Sequence, residues 1–277
     1  MEDKNVILVT WDFTEKSEYA LEHAYIAAKS LKAGIALLHI VKKESEIQSY
    51  EERLHGVIAD HYANRDIRPT ALVKAGNIFN TIGESAEESG AKMVFMGTHG
   101  IKGSQKFFGS WALKVIANTK VPFIVVQAPP TGEMYRNIVF PVNFRKENKE
   151  SINWIGFFSR HFNSKIHVFV AKHTDSNFIK GIESNIMFLT KNFKIKGVDF
   201  IMENAPGETD FVKEVADYAK QIKADSIFIV TTKDIGFTDY MLGAHEQYII
   251  ANNFDIPVIC VNPKPPKIGG SFSTSGS

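Results

Sequence analysis

Short apolar runs alternate with longer amphipathic segments along the first half of the chain. The segments between the runs, at 19–31, 44–64 and 78–89, carry apolar residues near helical spacing and predict helices. The runs themselves predict strands, and they lie at residues 6–9, 35–41, 70–73, 93–96 and 121–126. Continuous apolar strands separated by helices are typical of a parallel sheet covered on both faces, so the pattern predicts an α/β fold.

The second half of the chain repeats this order of elements. Residues 138–143 match 7–12, 166–170 match 35–39, 224–229 match 91–96, and 256–259 match 121–124. The sequence therefore predicts a tandem duplication. We expect one domain at 1–130, a second at 135–263 after the Pro129–Gly132 linker, and a disordered tail at 264–277 because of its Pro, Gly and Ser content.

A glycine-rich loop follows the predicted fourth strand. Gly97 ends the apolar run, Gly100 and Gly103 follow, and Gly109 with Ser110 opens a predicted helix. Glycines let backbone N–H groups approach a ligand, and a helix N-terminus adds unpaired donors and the positive end of a dipole. The loop has the composition of a phosphate site.

These segments together resemble the universal stress protein family in its tandem two-domain form. The resemblance rests on Val-Thr-Trp-Asp-Phe-Thr at 9–14, Ala-Leu-Leu-His-Ile-Val at 36–41, Gly-Thr-His-Gly at 97–100, and Gly-Ser at 109–110. It implies two doubly wound, five-stranded parallel sheets of strand order 3-2-1-4-5, related by a pseudo-two-fold axis. It also implies that residues 122–127 pair with 257–262, which makes the chain its own pseudo-dimer.

The resemblance also implies a nucleotide site in the first half, because many members of the family bind ATP. Strands 1 and 4 would lie side by side where the winding reverses, and ligands bind in that crevice. Asp12 would meet the ribose or adenine, and the backbone of Val41 the adenine. The phosphates would be bound by the glycine loop and the start of the helix after it, at Gly97, Gly100, Gly109, Ser110 and Trp111. Two alternatives stay open: Asp12 as a turn former and Trp111 as a packing residue.

The glycine loop departs from the family pattern in both halves. Eight residues separate Gly100 from Gly109, where the family has nine. In the second half Asn143, Val230 and Lys233 replace Asp12, Gly97 and Gly100, and only Gly243, followed by Ala244, is kept. We expect an altered site in the first half and no ATP binding of the family's kind in the second.

Three functions follow as hypotheses. The first is a stress-response protein regulated by an adenine nucleotide such as ATP, with any role of Mg²⁺ left open. The second is a protein-interaction module that no longer depends on nucleotide. The third, an ATP-pyrophosphatase-like enzyme, is disfavoured because residues 10–15 contain no glycine. No catalytic residue can be named, since His99 has no partner nearby in sequence, and slow ATP hydrolysis is the most that we expect.

Composition narrows the choice of partners and compartment. Lys plus Arg (32) balances Asp plus Glu (31), so we expect no nucleic-acid binding. No apolar run reaches the roughly 20 residues that span a bilayer, and the charged N-terminus is unlike a signal peptide, so we expect a cytoplasmic protein without membrane contact. Histidines lack metal-site spacing, and Cys260 lies in an apolar run typical of the core. A further homodimer and protein partners stay open.

Overall fold

Ten strands form one sheet in the computed structural model, which describes residues 5–98, 116, 119–231, 249–250, 252 and 254–263. The first half contributes β1 (Val6–Thr10), α1 (Glu15–Leu31), β2 (Gly34–Val41), α2 (Ile47–His61), β3 (Thr70–Ala75), α3 (Ile78–Glu88), β4 (Ala91–Gly97) and β5 (Phe123–Val126). The helix predicted over 44–64 is shorter, because residues Glu44–Glu46 form a 3₁₀ turn and α2 ends at His61.

The second half repeats the succession with one change. A 3₁₀ helix at Lys146–Ser151 precedes its first α-helix. Its elements are β6 (Asn137–Val142), α4 (Ile152–Phe162), β7 (Lys165–Val170), α5 (Ser176–Lys196), β8 (Asp199–Asn204), α6 (Phe211–Gln221), β9 (Ser226–Val230) and β10 (Val258–Val261).

The strand order confirms the predicted topology of both halves. The sheet runs β3-β2-β1-β4-β5-β10-β9-β6-β7-β8, so each half has the order 3-2-1-4-5 with parallel neighbours. The halves meet edge to edge, because β5 and β10 pair antiparallel with Ile124 opposite Ile259 and Val125 opposite Val258. This is the predicted pairing of 122–127 with 257–262, and it joins the two five-stranded units into one continuous sheet.

Amide side chains reinforce this junction in a reciprocal way. Asn262, after β10, donates from Nδ2 to the carbonyl oxygens of Ile116 (2.6 Å) and Thr119 (2.7 Å) in the first half. Gln127, after β5, donates from Nε2 to the carbonyl oxygen of Ile250 (3.1 Å) in the second half. Each half therefore satisfies backbone acceptors of the other, as buried carbonyl groups require.

The core forms two layers, one on each face of the sheet. Ile7 and Val9 of β1 pack with α1, while Leu8 between them packs on the opposite face with Ile82 of α3. Cys260 is fully buried in that second layer, as its apolar run predicts. Alternation of side chains along each strand thus assigns the helices to their faces.

Helix α5 is only partly core-facing. The apolar stretch around 186–193 predicts a helix packed on the core, and Leu189 and Phe193 are indeed buried. Met187, however, is 72% exposed and Phe188 is 38% exposed. The prediction is wrong for Met187 because its position falls on the opposite side of the 3.6-residue turn.

Within the part of the chain that the structure describes, no helix has the length and apolar character needed to cross a membrane.

Candidate functional site

A cavity of about 160 Å³ opens at the carboxyl ends of β1, β2 and β4. The strand order places β1 between β2 and β4, at the point where the winding of the first half reverses. In doubly wound sheets this is where ligands bind. The residues around the cavity are Thr10, Trp11, Asp12, Ser17, Leu38, His39, Ile40, Ile78, Ile82, Met96 and Gly97.

Aliphatic side chains form much of the wall. Leu38 and Ile40 belong to the same core layer as Ile82 of α3, with Met96 packed against that layer from β4. Ile78, the first residue of α3, is 43% exposed, so it stands at the edge of the opening. The cavity is therefore an apolar slot. Its polar lining includes Asp12 and Ser17, which lie after β1 in the chain.

Asp12 occupies the turn after β1 and borders the cavity. Its carboxylate accepts hydrogen bonds from the backbone N–H of Thr14 (3.0 Å), from the Thr14 hydroxyl (2.6 Å) and from the Ser17 hydroxyl. The backbone N–H of Asp12 donates to the Ser17 oxygen (2.9 Å). Asp12 thus organises the turn into α1, and it also lies where the ligand hypothesis expects it.

The residue after Asp12 holds an unusual backbone conformation. Phe13 has φ of 62°, in the left-handed region that bulky residues seldom occupy. Its ring lies 3.8 Å beneath the guanidinium of Arg53 and meets the ring of His39 edge-on at 5.0 Å. His39 in turn stacks on Tyr50 at 4.5 Å and bonds through Nδ1 to the carbonyl oxygen of Trp11 (2.7 Å). This aromatic cluster fixes the turn beside the cavity.

Gly97 ends β4 directly against the start of α1. A Cβ added at this position would overlap the carbonyl group of Lys16. Lys16 is anchored there, because its Nζ donates to the carbonyl oxygen of Gln127 (2.7 Å). A glycine is therefore required by helix packing, which is a reason for Gly97 independent of any phosphate.

Val41 does not border the cavity. Its side chain is 5% exposed and belongs to the core layer that contains Ile7 and Val9. Its carbonyl oxygen accepts the backbone N–H of Gly76 (2.9 Å), at the turn into α3. A backbone contact from Val41 to adenine stays a prediction.

The remaining predicted site residues lie outside the described part of the chain. They are Gly100, Gly109, Ser110 and Trp111. Of the predicted set, the structure brings Asp12 and Gly97 to one cavity.

The model of the universal stress protein family matches residues 5–127, which contain this cavity. This part of the chain is therefore similar to the universal stress protein family. No curated protein matches it.

Solved structures extend the likeness in fold to both halves. A universal stress protein from Archaeoglobus fulgidus has a TM-score of 0.68 at 15% identity, over 94% of this chain and 99% of its own. A functionally unknown protein from Pseudomonas aeruginosa PAO1 has a TM-score of 0.60 at 14% identity, over 93% and 92%. A putative universal stress protein from P. aeruginosa UCBPP-PA14 has a TM-score of 0.59 at 12% identity, over 94% and 93%. At these identities the likeness concerns the fold alone.

The second half differs at the matching place. Thr10 pairs with Leu38 in the first half, and Pro141 pairs with Phe169 at the same register in the second. The third helix of each half begins in the same way, at Ile78 after Asn77 and at Phe211 after Asp210. Aromatic residues therefore replace the aliphatic pair Leu38 and Ile78.

These aromatic rings fill space in the second half. Phe169 and Phe211 lie parallel, with ring centroids 5.9 Å apart and 3° between their planes. Tyr218 stacks on Phe169 at 4.5 Å. Phe169 is only 3% exposed. Where the first half has an open slot between aliphatic walls, the second half has stacked rings from its own chain.

Sequence reasoning does not identify Thr10, Ser17, Ile78, Ile82 and Met96 as cavity residues. Apolar residues at helical or strand spacing look like ordinary core residues. Only the register of β1 against β2, and the position of α3 beside them, shows which of these residues line the cavity. The sequence does mark the position of Ile78, because Asn77 is a preferred N-cap residue and predicts a helix that begins at Ile78.

Proposed function

We propose that the first half binds an adenine nucleotide at the cavity between β1 and β4, and that this binding regulates the protein in the stress response. The observation that supports this most is the apolar slot at the switch point of the sheet, bordered by Asp12 and Gly97. The proposed units are residues 1–130 for binding and 135–263 as a second unit without a nucleotide.

The dimensions and chemistry of the slot favour the base as its occupant. About 160 Å³ between aliphatic side chains suits a flat, largely apolar ring, whereas the sugar and phosphates would extend past Asp12 and Gly97. The carboxylate of Asp12 accepts hydrogen bonds, so ribose hydroxyl groups are suitable donors to it. Any phosphate contacts would come from Gly100, Gly109 and Ser110.

The stacked rings of the second half support a single nucleotide per chain. Phe169 and Phe211 lie where Leu38 and Ile78 line the slot, and Val230 ends β9 where Gly97 ends β4. A base could enter there only if the rings moved, which would expose buried aromatic surface to water.

The alternative is a nucleotide-independent interaction module. It is favoured by an exposed aromatic pair in the second half, Phe144 and Phe178, which are 37% and 38% exposed and stack at 4.1 Å. Exposed aromatic side chains are frequent at protein interfaces.

Two variants with a matched control separate these functions by equilibrium binding of ATP and AMP. Ile78→Trp fills the slot from its exposed edge, and Asp12→Ala removes the carboxylate, so each should weaken binding at least tenfold. Asn143→Ala is the control, because Asn143 also caps its turn by accepting the N–H of Arg145 (3.0 Å) but lies in the second half. Undetectable millimolar binding to the wild type, or equal binding by all three variants, would favour the interaction module.

A further inference from the structure

A cleft of about 530 Å³ lies between the two halves, away from the nucleotide cavity. Its walls come from α1 through His23, from the linker after β5 through Ala128 and Met134, and from α6 and the segment before β10 through Lys220 and Ile256. Cavities of this size at the meeting of two domains are typical of small-molecule sites. Because linker residues form part of its wall, the cleft depends on the two halves being joined in one chain.

One wall of the cleft is rigid and uncharged. His23 is 1% exposed, and its Nε2 donates to the carbonyl oxygen of Ala128 (3.1 Å). Its Nδ1 lies 3.4 Å from the hydroxyl of Tyr135, which is fully buried. Burial lowers the pKa of His23 to about 4, so the imidazole is neutral at physiological pH. Both ring nitrogens are used within the protein.

The opposite wall carries two lysines at the end of α6. Lys220 places its Nζ 4.6 Å from the ring centroid of Phe254, which also lines the cleft. Neither Lys220 nor Lys223 takes part in an ion pair among the described residues. Two lysines therefore border the cleft without an ion pair among the described residues.

The carboxylates of the cleft are engaged elsewhere or lie at its edge. Asp225 accepts the backbone N–H groups of Arg136 (2.8 Å) and Asn137 (2.6 Å), which directs its charge into the start of β6. Asp255 is exposed. Lys223 has a left-handed φ of 52° because it caps the C-terminal end of α6, where the backbone N–H of Ala224 donates to the carbonyl oxygen of Ala219 (2.8 Å).

We infer that the cleft binds a small organic anion that has an apolar ring or chain. Lys220 and Lys223 would meet the anionic group, and Met134, Ile256 and the ring of Phe254 would cover the apolar part. This site is separate from the nucleotide cavity, which lies at the carboxyl ends of β1 and β4. The two sites can be occupied together.

The test is equilibrium binding of 2-naphthoate to the full chain, followed by naphthoate fluorescence. We expect saturable binding below 1 mM, roughly the upper range for weak specific ligands. The double variant Lys220→Glu/Lys223→Glu should bind at least tenfold more weakly. Lys191→Glu/Lys194→Glu is the control, because it makes the same change in net charge at exposed positions of α5.

Three results would overturn the inference. One is the absence of saturable naphthoate binding by the wild type. Another is an equal loss of affinity in both double variants, which would indicate general electrostatics. The third is displacement of naphthoate by ATP or AMP, which would place the probe in the nucleotide cavity. Loss of ATP binding with retained naphthoate binding would contradict only the proposed nucleotide function.

Discussion

Asp12 and Gly97 each serve the fold and border the cavity. Asp12 holds the turn before α1 through three accepted hydrogen bonds, and Gly97 admits the first turn of α1 against β4. The presence of these residue types is therefore explained by structure before any ligand is considered. Their convergence at one cavity is the additional fact that supports a binding role.

Gly97→Ala should destabilise the protein even without a ligand. The added methyl group would overlap the carbonyl of Lys16, and that strain should cost about 2 kcal/mol, in the range for overpacked sites. The measurement is the free energy of unfolding in urea. Gly56→Ala is the control, since nothing lies within 4 Å of its added Cβ, and in the middle of α2 it should stabilise by about 1 kcal/mol. Equal stability of Gly97→Ala and wild type would show that α1 does not pack as described.

Among the elements, helices α3 and α6 begin with the same kind of N-cap, but their first residues border different features. Asn77 accepts the N–H of Phe79 (2.9 Å), and Asp210 accepts the N–H of Val212 (2.9 Å). Ile78 borders the cavity, whereas Phe211 belongs to the ring stack of the second half.

Asn77→Ala and Asp210→Ala should therefore separate stability from binding. Each loses an N-cap and should cost about 1 kcal/mol in the free energy of unfolding. Only Asn77→Ala should also weaken ATP binding, because it loosens the segment that positions Ile78. Urea titration and equilibrium dialysis measure the two effects. If both variants reduced ATP binding alike, the slot beside α3 would not be the site.

Much of this element order is predictable from the sequence. Strands buried on both faces are continuous apolar runs, so β1, β2, β4, β5 and their counterparts stand out. Edge strand β8 does not, because its sequence Asp-Phe-Ile-Met-Glu-Asn is half polar and much of it is exposed. The place of the cavity beside Asp12 and Gly97 is predictable from the resemblance, but its open interior is not, since aliphatic Leu38 and Ile78 and aromatic Phe169 and Phe211 are equally acceptable as core. Only the strand registers of the two halves show that the aliphatic pair leaves a slot open and that the aromatic pair fills the matching place.

At the scale of the molecule, the junction combines the β5–β10 pairing with a buried histidine. His23 contacts the linker at Ala128 and the second half at Tyr135. Since burial lowers its pKa from 6.5 to about 4, the unfolded chain takes up a proton at His23 before the folded chain does. Stability is therefore lost as pH falls from about 6.5 to 4, by about 3 kcal/mol in total for this group.

His23→Gln should reduce the acid sensitivity of the whole protein. Between pH 7.0 and 4.5 the wild type should lose about 2 kcal/mol more unfolding free energy than the variant. Urea unfolding at the two pH values measures this. The exposed His55 of α2 supplies the control His55→Gln, which should behave like the wild type. The same pH dependence in all three proteins would mean that His23 is not held neutral at the junction.

The most direct test of the whole account is the stoichiometry of ATP binding to the full chain by equilibrium dialysis. We expect one saturable site per chain, since the first half has an open slot and the second half fills the matching place with Phe169 and Phe211. Two equivalent sites per chain, or no saturable binding at millimolar ATP, would contradict it.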